Sequence, residues 1–560
     1  MTIPDELLTR VEAWAAIDPD PDTVAEVRAL IEEGDESALR ERFDDRLAFG
    51  TAGLRGPLGA GPNRMNELVV RQTAAGLADY VLKVVPDARE RGVVIGYDAR
   101  HKSDRFAQGT ARVFAQKGMR ALLFPHVVPT PVLAFAVLDL GVAVGVQVTA
   151  SHNPPADNGY KVYWGDGPQI VPPLDEFIAT AIASVAADPT PVLLSAADDS
   201  RIEILSDEVV DRYHDGVATL DPHTSASDDR ASLRVVYTAM HGVGGVDFRR
   251  VFERAGFTAV TVVPEQFNPD PDFPTVAFPN PEEAGALDLA LALAASTSAD
   301  LILANDPDAD RMAAAIPDPA VAGGWRPLRG DEIGWLLADH LLRQPHASGQ
   351  RRLVCTTIVS SSLLRVMAAH YDVEYRETLT GFKWLARKAL EEKNYAHVLS
   401  YEEALGYCVG RLVRDKDGMS AALVMADLAA TLKAAGSSVR ARLSEIESTY
   451  GRFDTEQWSL RFDGADAQQK MKALMDGLRA KLPSDVAGVP VVAVRDLESA
   501  SPAADVVIFS MADGSRITVR PSGTEPKCKV YFETVTKAGE KPVSIAELKS
   551  AMALHLGVTA

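Results

Sequence analysis

RVVYTAMHGVGGVDFRRVFERAG, residues 234–256, joins a short β-branched run to a glycine-bearing loop and then to a helical period that closes at Gly256, where a helix C-terminus favours glycine. Two other stretches share the pattern, Val93 to Ala111 and Leu353 to Met367. Strand, loop and helix in that order are the signature of α/β domains. A fourth region differs: DVVIFS, the turn MADGS, RITVR, the loop PSGTEP and KCKVYFE read as antiparallel strands around an Asp513-Gly514 hairpin, a separate α+β domain. A chain of 560 residues has room for three to five domains. Seams are expected at Ala186 to Ser200, at Pro317 to Trp325 and in the polar approach to Gly451.

The composition, 47% hydrophobic and 24% charged, is that of a globular protein and excludes collagenous or mostly disordered classes. With 57 basic and 78 acidic side chains the net charge is −21, which repels nucleic acid and anionic lipid on average. An anionic small substrate is still compatible, provided arginine, lysine and backbone donors gather locally. Cys355, Cys408 and Cys528 have no disulfide-framework or zinc-knuckle spacing and suit a reducing, cytoplasmic setting. The N-terminal MTIPDELLTRVEAW reads as an amphipathic helix, and the apolar run Val127 to Val148 is broken by Pro129, Pro131, Asp139 and Gly141. Neither a secretion signal nor a membrane span is expected.

Three segments carry chemistry. LILANDPDADRMAAAI places Asp306, Asp308 and Asp310 at i, i+2 and i+4, and an extended chain would put all three carboxylates on one side. Like charges so close need a cation, and an all-oxygen set favours a hard ion such as Mg²⁺. A solvated acidic turn is the plainer alternative, while an EF-hand fails because Arg311 and Pro317 stand where glycine and glutamate are required. VAVGVQVTASHNPPADNGYKVYW presents Ser151, His152 and Lys161 in a rigid polar loop, either a nucleophile or phosphate acceptor or a turn satisfying its own backbone. RPSGTEPKCK gathers Arg520, Ser522, Gly523, Thr524 and Lys529, a donor set suited to a dianionic phosphate. Weaker signals are FGTAGLRG with Arg55, HGVGG with His241, TLTGFKW with Lys383, and YEEALGY with Glu402 and Glu403, the last pair being also the ordinary start of a solvated helix.

Taken together and in order, FGTAGLRG, TASHNP, DPDADR, TGFKW, EEALGY and RPSGTEP resemble the α-D-phosphohexomutase superfamily of phosphoglucomutases and phosphomannomutases, most closely its longer phosphoglucomutase-2-like branch, which includes phosphopentomutase activity. The resemblance implies three related α/β/α domains and a C-terminal TATA-binding-protein-like domain in a heart shape around one cleft, here 1–205, 206–320, 321–450 and 451–560. It implies a phosphoserine at Ser151, Mg²⁺ held by Asp306, Asp308, Asp310 and that phosphoserine, and a phosphate anchor at Arg520, Ser522, Gly523 and Thr524. It also implies Arg55, His152 or Lys161 as the group managing the hydroxyl proton. Arg311, Lys383, Glu402 and Glu403 would meet the substrate. The activity implied is interconversion of hexose 1- and 6-phosphates through a sugar 1,6-bisphosphate, by a monomer or homodimer acting on a phosphorylated sugar. Ala404 departs from the serine many members carry two residues after the glutamate, which leaves open a phosphopentomutase acting on ribose or deoxyribose 1- and 5-phosphates. A sugar-phosphate-binding protein without turnover, and a phosphatase, are the readings from other classes.

Overall fold

A computed structural model describes residues 3–50, 52–346, 349–462, 466–522, 527–536 and 543–558. The chain divides into two compact units, residues 1–353 with 382–439 and residues 354–381 with 440–560. The segment 354–381 thus groups with the C-terminal part rather than with its neighbours in sequence.

The first unit holds two mixed sheets. One runs Leu54–Pro57, Asp157–Trp164, Val144–Val148, Val93–Tyr97, Ala121–Leu123, Ile202–Ile204, with the last four strands parallel and the first two antiparallel. Every residue of Val144–Val148 is buried, as a central strand covered on both faces requires. Helices Glu67–Val84 and Ser103–Gln116 supply much of that cover, their apolar faces joining the core around Val93, Val144 and Phe114. The other sheet runs Trp325–Pro327, Ala313–Pro317, Leu301–Ala304, Val235–Thr238, Val260–Val262. The segment that opened the sequence reading forms strand Val235–Thr238 and helix Gly244–Arg254, with Gly256 at φ +87° just past the helix end. A third set of strands is shared out between the units: Ala396–Glu402 and Gly406–Val409 form an antiparallel hairpin in the first, ahead of the long buried helix Gly418–Ala434.

In the second unit, six strands pair antiparallel in the order Arg452–Arg461, Lys527–Thr536, Arg516–Pro521, Val507–Met511, Val489–Asp496, Asp485–Val486. Helices Ala467–Ala480 and Ile545–Leu556 cover one face through Met471, Met475, Leu548 and Met552. A separate cluster brings Ile358 and Val359 against Val506, Ile508 and Tyr531. This is the expected α+β C-terminal domain, with its turn at Gly514, φ +91°. Among the described residues no single helix is long and apolar enough to cross a membrane.

Candidate active site

The three aspartates do not lie in extended chain. Strand Leu301–Ala304 ends before them, strand Ala313–Pro317 begins after them, and the carboxylates converge on a turn whose Ala309 stands at φ +56°. That corrects the reason given by their spacing: a turn, not the two-residue strand period, gathers them. One oxygen from each lies within 4.8 Å of the other two, and all three residues are fully buried. Neighbouring loops come unusually close. A side chain at Gly242, in the HGVGG segment, would stand 2.4 Å from the Cα of Pro307, and one at Gly418 would stand 2.4 Å from the Arg311 carbonyl oxygen. Both positions need glycine because backbone occupies the space a Cβ would take.

Asp308 and Asp310 each spend one oxygen on the protein, and Asp306 spends both. Asp306 Oδ1 accepts from the Arg311 N–H at 2.9 Å. Asp308 Oδ2 accepts from Thr130 Oγ1 and from Lys161 Nζ, both at 2.6 Å, and Asp310 Oδ2 accepts from Lys161 Nζ at 2.9 Å with Lys416 Nζ at 3.3 Å. The remaining oxygens, Asp308 Oδ1 and Asp310 Oδ1, are buried without a hydrogen-bond partner among the described residues, and Asp306 Oδ2 faces the Ser151 hydroxyl at 3.0 Å. Buried carboxylate oxygens left in this way are costly unless a cation takes them up, so the donor set fits a hard divalent ion. The electrostatics agree. Burial pushes the Asp306 carboxyl well above the usual carboxylate range, and Asp308 and Asp310 add to the rise. Burial acts on Asp308 and Asp310 too, but the Lys161 ammonium, helped at Asp310 by Lys416, holds both below that range.

Strand Val144–Val148 stops short of Ser151, which sits in the following turn at φ +54°, buried, its N–H bonded to Thr149 Oγ1 at 2.8 Å. His152 Nδ1 lies 3.2 Å from Ser151 Oγ. Burial, with Arg311 and Arg55 nearby, pulls His152 well below the imidazole range. One guanidinium holds the whole loop: Arg100 donates to the carbonyl oxygens of Ser151 and Asn153 at 2.6 Å, of Pro154 at 2.8 Å and of Asp157 at 3.1 Å. Arg55 lies on strand Leu54–Pro57, opposite Gly159, with its Nε buried and without a hydrogen-bond partner among the described residues.

Glu402 ends strand Ala396–Glu402, and the EEALGY segment is the tip of a hairpin rather than a helix start, because Leu405 takes φ +62° and Glu402 pairs with Gly406. The tip meets the aspartate loop through Met312 N–H to the Leu405 carbonyl at 3.1 Å and a bridge between Arg311 and Gly406. Burial lifts the Glu402 carboxyl to about 7, against the pull of Lys416 and Arg311. Arg311 reaches Glu282 at 3.3 Å. Glu403 follows in the turn, partly buried. Lys383 opens helix Phe382–Glu391, makes no hydrogen bond or ion pair among the described residues, and is pulled by burial to about 8, with Asp175 opposing. Arg520 and Ser522 belong to the second unit, in and just after strand Arg516–Pro521, where the Ser522 N–H reaches the Lys527 carbonyl at 2.7 Å. Gly523 and Thr524 lie outside the described residues.

The sequence reading missed Arg100, Thr130 and Lys416. Asp98-Ala99-Arg100 at the end of strand Val93–Tyr97 offered a signal, since a charged pair beside a strand buried over its first four residues is seldom idle. Lys416 had a comparable one in Asp415-Lys416-Asp417 ahead of an apolar helix. Thr130 had none.

Comparison with known proteins bears on the whole chain. Models described as phosphoglucomutase/phosphomannomutase alpha/beta/alpha domains I, II and III match residues 46–188, 211–319 and 329–450, and the model of the family's C-terminal domain matches 470–544. A Schizosaccharomyces pombe protein named "Probable phosphoribomutase" is 40% identical, over 93% of this chain and 92% of its own length. A Haemophilus influenzae protein named "Probable phosphomannomutase" is 42% identical, over 84% of this chain and 93% of its own. The solved structure of a phosphoglucomutase/phosphomannomutase family protein from Burkholderia thailandensis has the same fold, with a TM-score of 0.69 at 19% identity over 91% of this chain and 97% of that one.

Proposed function

The chain belongs to the phosphoglucomutase/phosphomannomutase family and is an intramolecular phosphotransferase, and from that premise we propose that Ser151 shuttles a phosphoryl group between the anomeric and terminal oxygens of an aldose phosphate. The observation that carries the proposal is the place of the Ser151 hydroxyl, 3.0 Å from Asp306 within a group of three buried carboxylates. In the first half-reaction the phosphorus–Oγ bond of phosphoserine breaks as a bond to a free sugar hydroxyl forms, and that hydroxyl loses its proton. The sugar now carries two phosphoryl groups. In the second half-reaction the other phosphoryl passes to Oγ, and the proton returns to the oxygen left behind, so the net change is isomerisation.

The His152 ring, with Nδ1 3.2 Å from Oγ, is placed to take and return the proton. Lys161 is engaged by two carboxylates and serves as a fixed positive charge, with Arg55 beside the same loop. Asp306, Asp308, Asp310 and a phosphoserine oxygen would hold Mg²⁺, which offsets charge on the transferring group when bound. We assign Arg311, Lys383, Glu402 and Glu403 to the sugar phosphate, Glu402 as acceptor for sugar hydroxyls. Arg520, Ser522, Gly523 and Thr524 anchor the phosphate that is not being transferred. A sugar 1,6-bisphosphate primes Ser151, and we read the enzyme as cytoplasmic.

Glucose and mannose 1- and 6-phosphates are the first substrates in this reading. A second reading, ribose 1- and 5-phosphates, is favoured by Ala404 and by the relative named for a phosphoribomutase. A coupled assay with Mg²⁺ and catalytic glucose 1,6-bisphosphate, run on glucose, mannose and ribose 1-phosphates, ranks the sugars by kcat/KM. Ser151→Ala should abolish turnover of all three. Turnover surviving in that variant, or release of mainly inorganic phosphate by the parent, would overturn the proposal.

A further inference from the structure

The family models begin at residue 46, and the helices before it have a core of their own, in which Leu7, Val27, Leu39 and Phe43 pack with Ala60. Asp20 precedes helix Pro21–Glu33 and has no exposed surface. One of its oxygens caps that helix by accepting from the Asp22 N–H at 3.1 Å, and the other accepts from Lys102 Nζ at 2.7 Å. The Arg105 guanidinium stands further off, 3.9 Å from the same oxygen, so Lys102 is the close counter-charge of this buried carboxylate and losing it leaves the charge poorly paired. Lys102 itself stands at φ +64°, a conformation that non-glycine residues adopt only where the surroundings hold it.

Two residues earlier in the same turn is Arg100, whose guanidinium carries four carbonyl groups of the Ser151 loop. The turn is tied to that loop a second time, where Asn158 Nδ2 donates to the His101 carbonyl at 2.8 Å. On its other side His101 meets Asp272 at 2.7 Å. The path from the N-terminal helices to the reacting oxygen is therefore short and polar throughout: Asp20, Lys102, the 98–103 turn, Arg100, Ser151.

We propose that the N-terminal helices brace the Ser151 loop through Asp20 and Lys102, which are positioning residues for phosphoryl transfer. The inference rests on the reading of Ser151 as the phosphoryl carrier. In-line transfer tolerates little misplacement, and a shift of the turn would pass through Arg100 to the distance between Oγ and Asp306.

Two full-length variants separate the ion pair from the fold around it. Asp20→Asn keeps a good helix cap and removes the charge, while Lys102→Asn keeps a residue that tolerates positive φ and removes the ammonium. With kcat counted per phosphoserine by intact mass, each should fall about ten-fold while KM for the sugar 1-phosphate stays within about two-fold. Lys102→Arg should recover most of the loss, and the double variant should be no worse than the poorer single one, since both break the same contact. Should Asp20→Asn fail to fold, Lys102→Asn, on the partly exposed side of the pair, still decides the matter. Values of kcat within about two-fold of the parent, losses that multiply in the double variant, or a change in KM alone would each overturn the brace. Ser151→Ala, measured alongside, keeps the two ideas apart: activity in that variant sinks the Ser151 reading, whereas its inactivity beside unaltered Asp20→Asn and Lys102→Asn sinks the brace only.

Discussion

Lys161 is the side chain on which the charge balance of the site turns. Its ammonium is 1% exposed and bonds to two of three clustered carboxylates, so a neutral isostere would leave like charges facing one another out of water. Lys161→Met should destabilise the metal-free protein by about 3 kcal/mol, the scale of breaking a buried pair by removing one partner. Mg²⁺ should recover more thermal stability in this variant than in the parent, because it replaces part of the missing positive charge. Thermal midpoints of both proteins with EDTA and with Mg²⁺ check this, and an equal Mg²⁺ response in the two would show that Lys161 and the cation do not share the same carboxylates.

The hairpin Ala396–Glu402 and Gly406–Val409 carries Glu402 to the aspartate loop, and its own anchor is His397. That ring is buried, with Nδ1 donating to the Gly410 carbonyl at 2.5 Å and Nε2 accepting from Ser400 Oγ at 2.7 Å. Burial pulls it to about 4, with the Gly410 carbonyl opposing. Between about 4 and the unfolded value near 6.5 the unfolded chain binds the proton and the folded one does not, so stability rises with pH across that window. The loss on acidification should amount to at most about 3 kcal/mol. His397→Gln should flatten that part of the curve, measured as urea midpoints at pH 4.5 and 7. Elements of this kind also show what the sequence could disclose. DPDADR was legible because its carboxylates come from one short loop, although the strand period misjudged how they meet. RVVYTAMHGVGG announced a strand, a turn and a helix, but not that Gly242 makes room for Pro307. Asp98-Ala99-Arg100 marked Arg100 as a candidate but not its partner, which lies 51 residues away, and Thr130, whose partner lies 178 residues away, had no local pattern to disclose it. The meeting of Ser151 with Asp306 came only through the family resemblance.

At the scale of the whole molecule, the carboxylate cluster lies entirely within the unit formed by 1–353 and 382–439. Mg²⁺ added to metal-stripped protein should therefore raise the melting of that unit, by about 2.7 kcal/mol at a free concentration one hundred times its Kd. Calorimetry across a Mg²⁺ series tests this, and a melting profile indifferent to Mg²⁺ would count against the aspartates as its site. Three strand–helix stretches and a differing antiparallel region were readable from the sequence, whereas the grouping of 354–381 with 440–560 was not, since it depends on Ile358 and Val359 finding Val506, Ile508 and Tyr531. That grouping has a consequence for birth on the ribosome. At roughly 5–20 residues per second, Ile358 and Val359 emerge on the order of ten to thirty seconds before the residues that cover them. During that interval an apolar stretch waits in the open, and the nascent chain should lean on chaperones there more than at any α/β region completed earlier in synthesis.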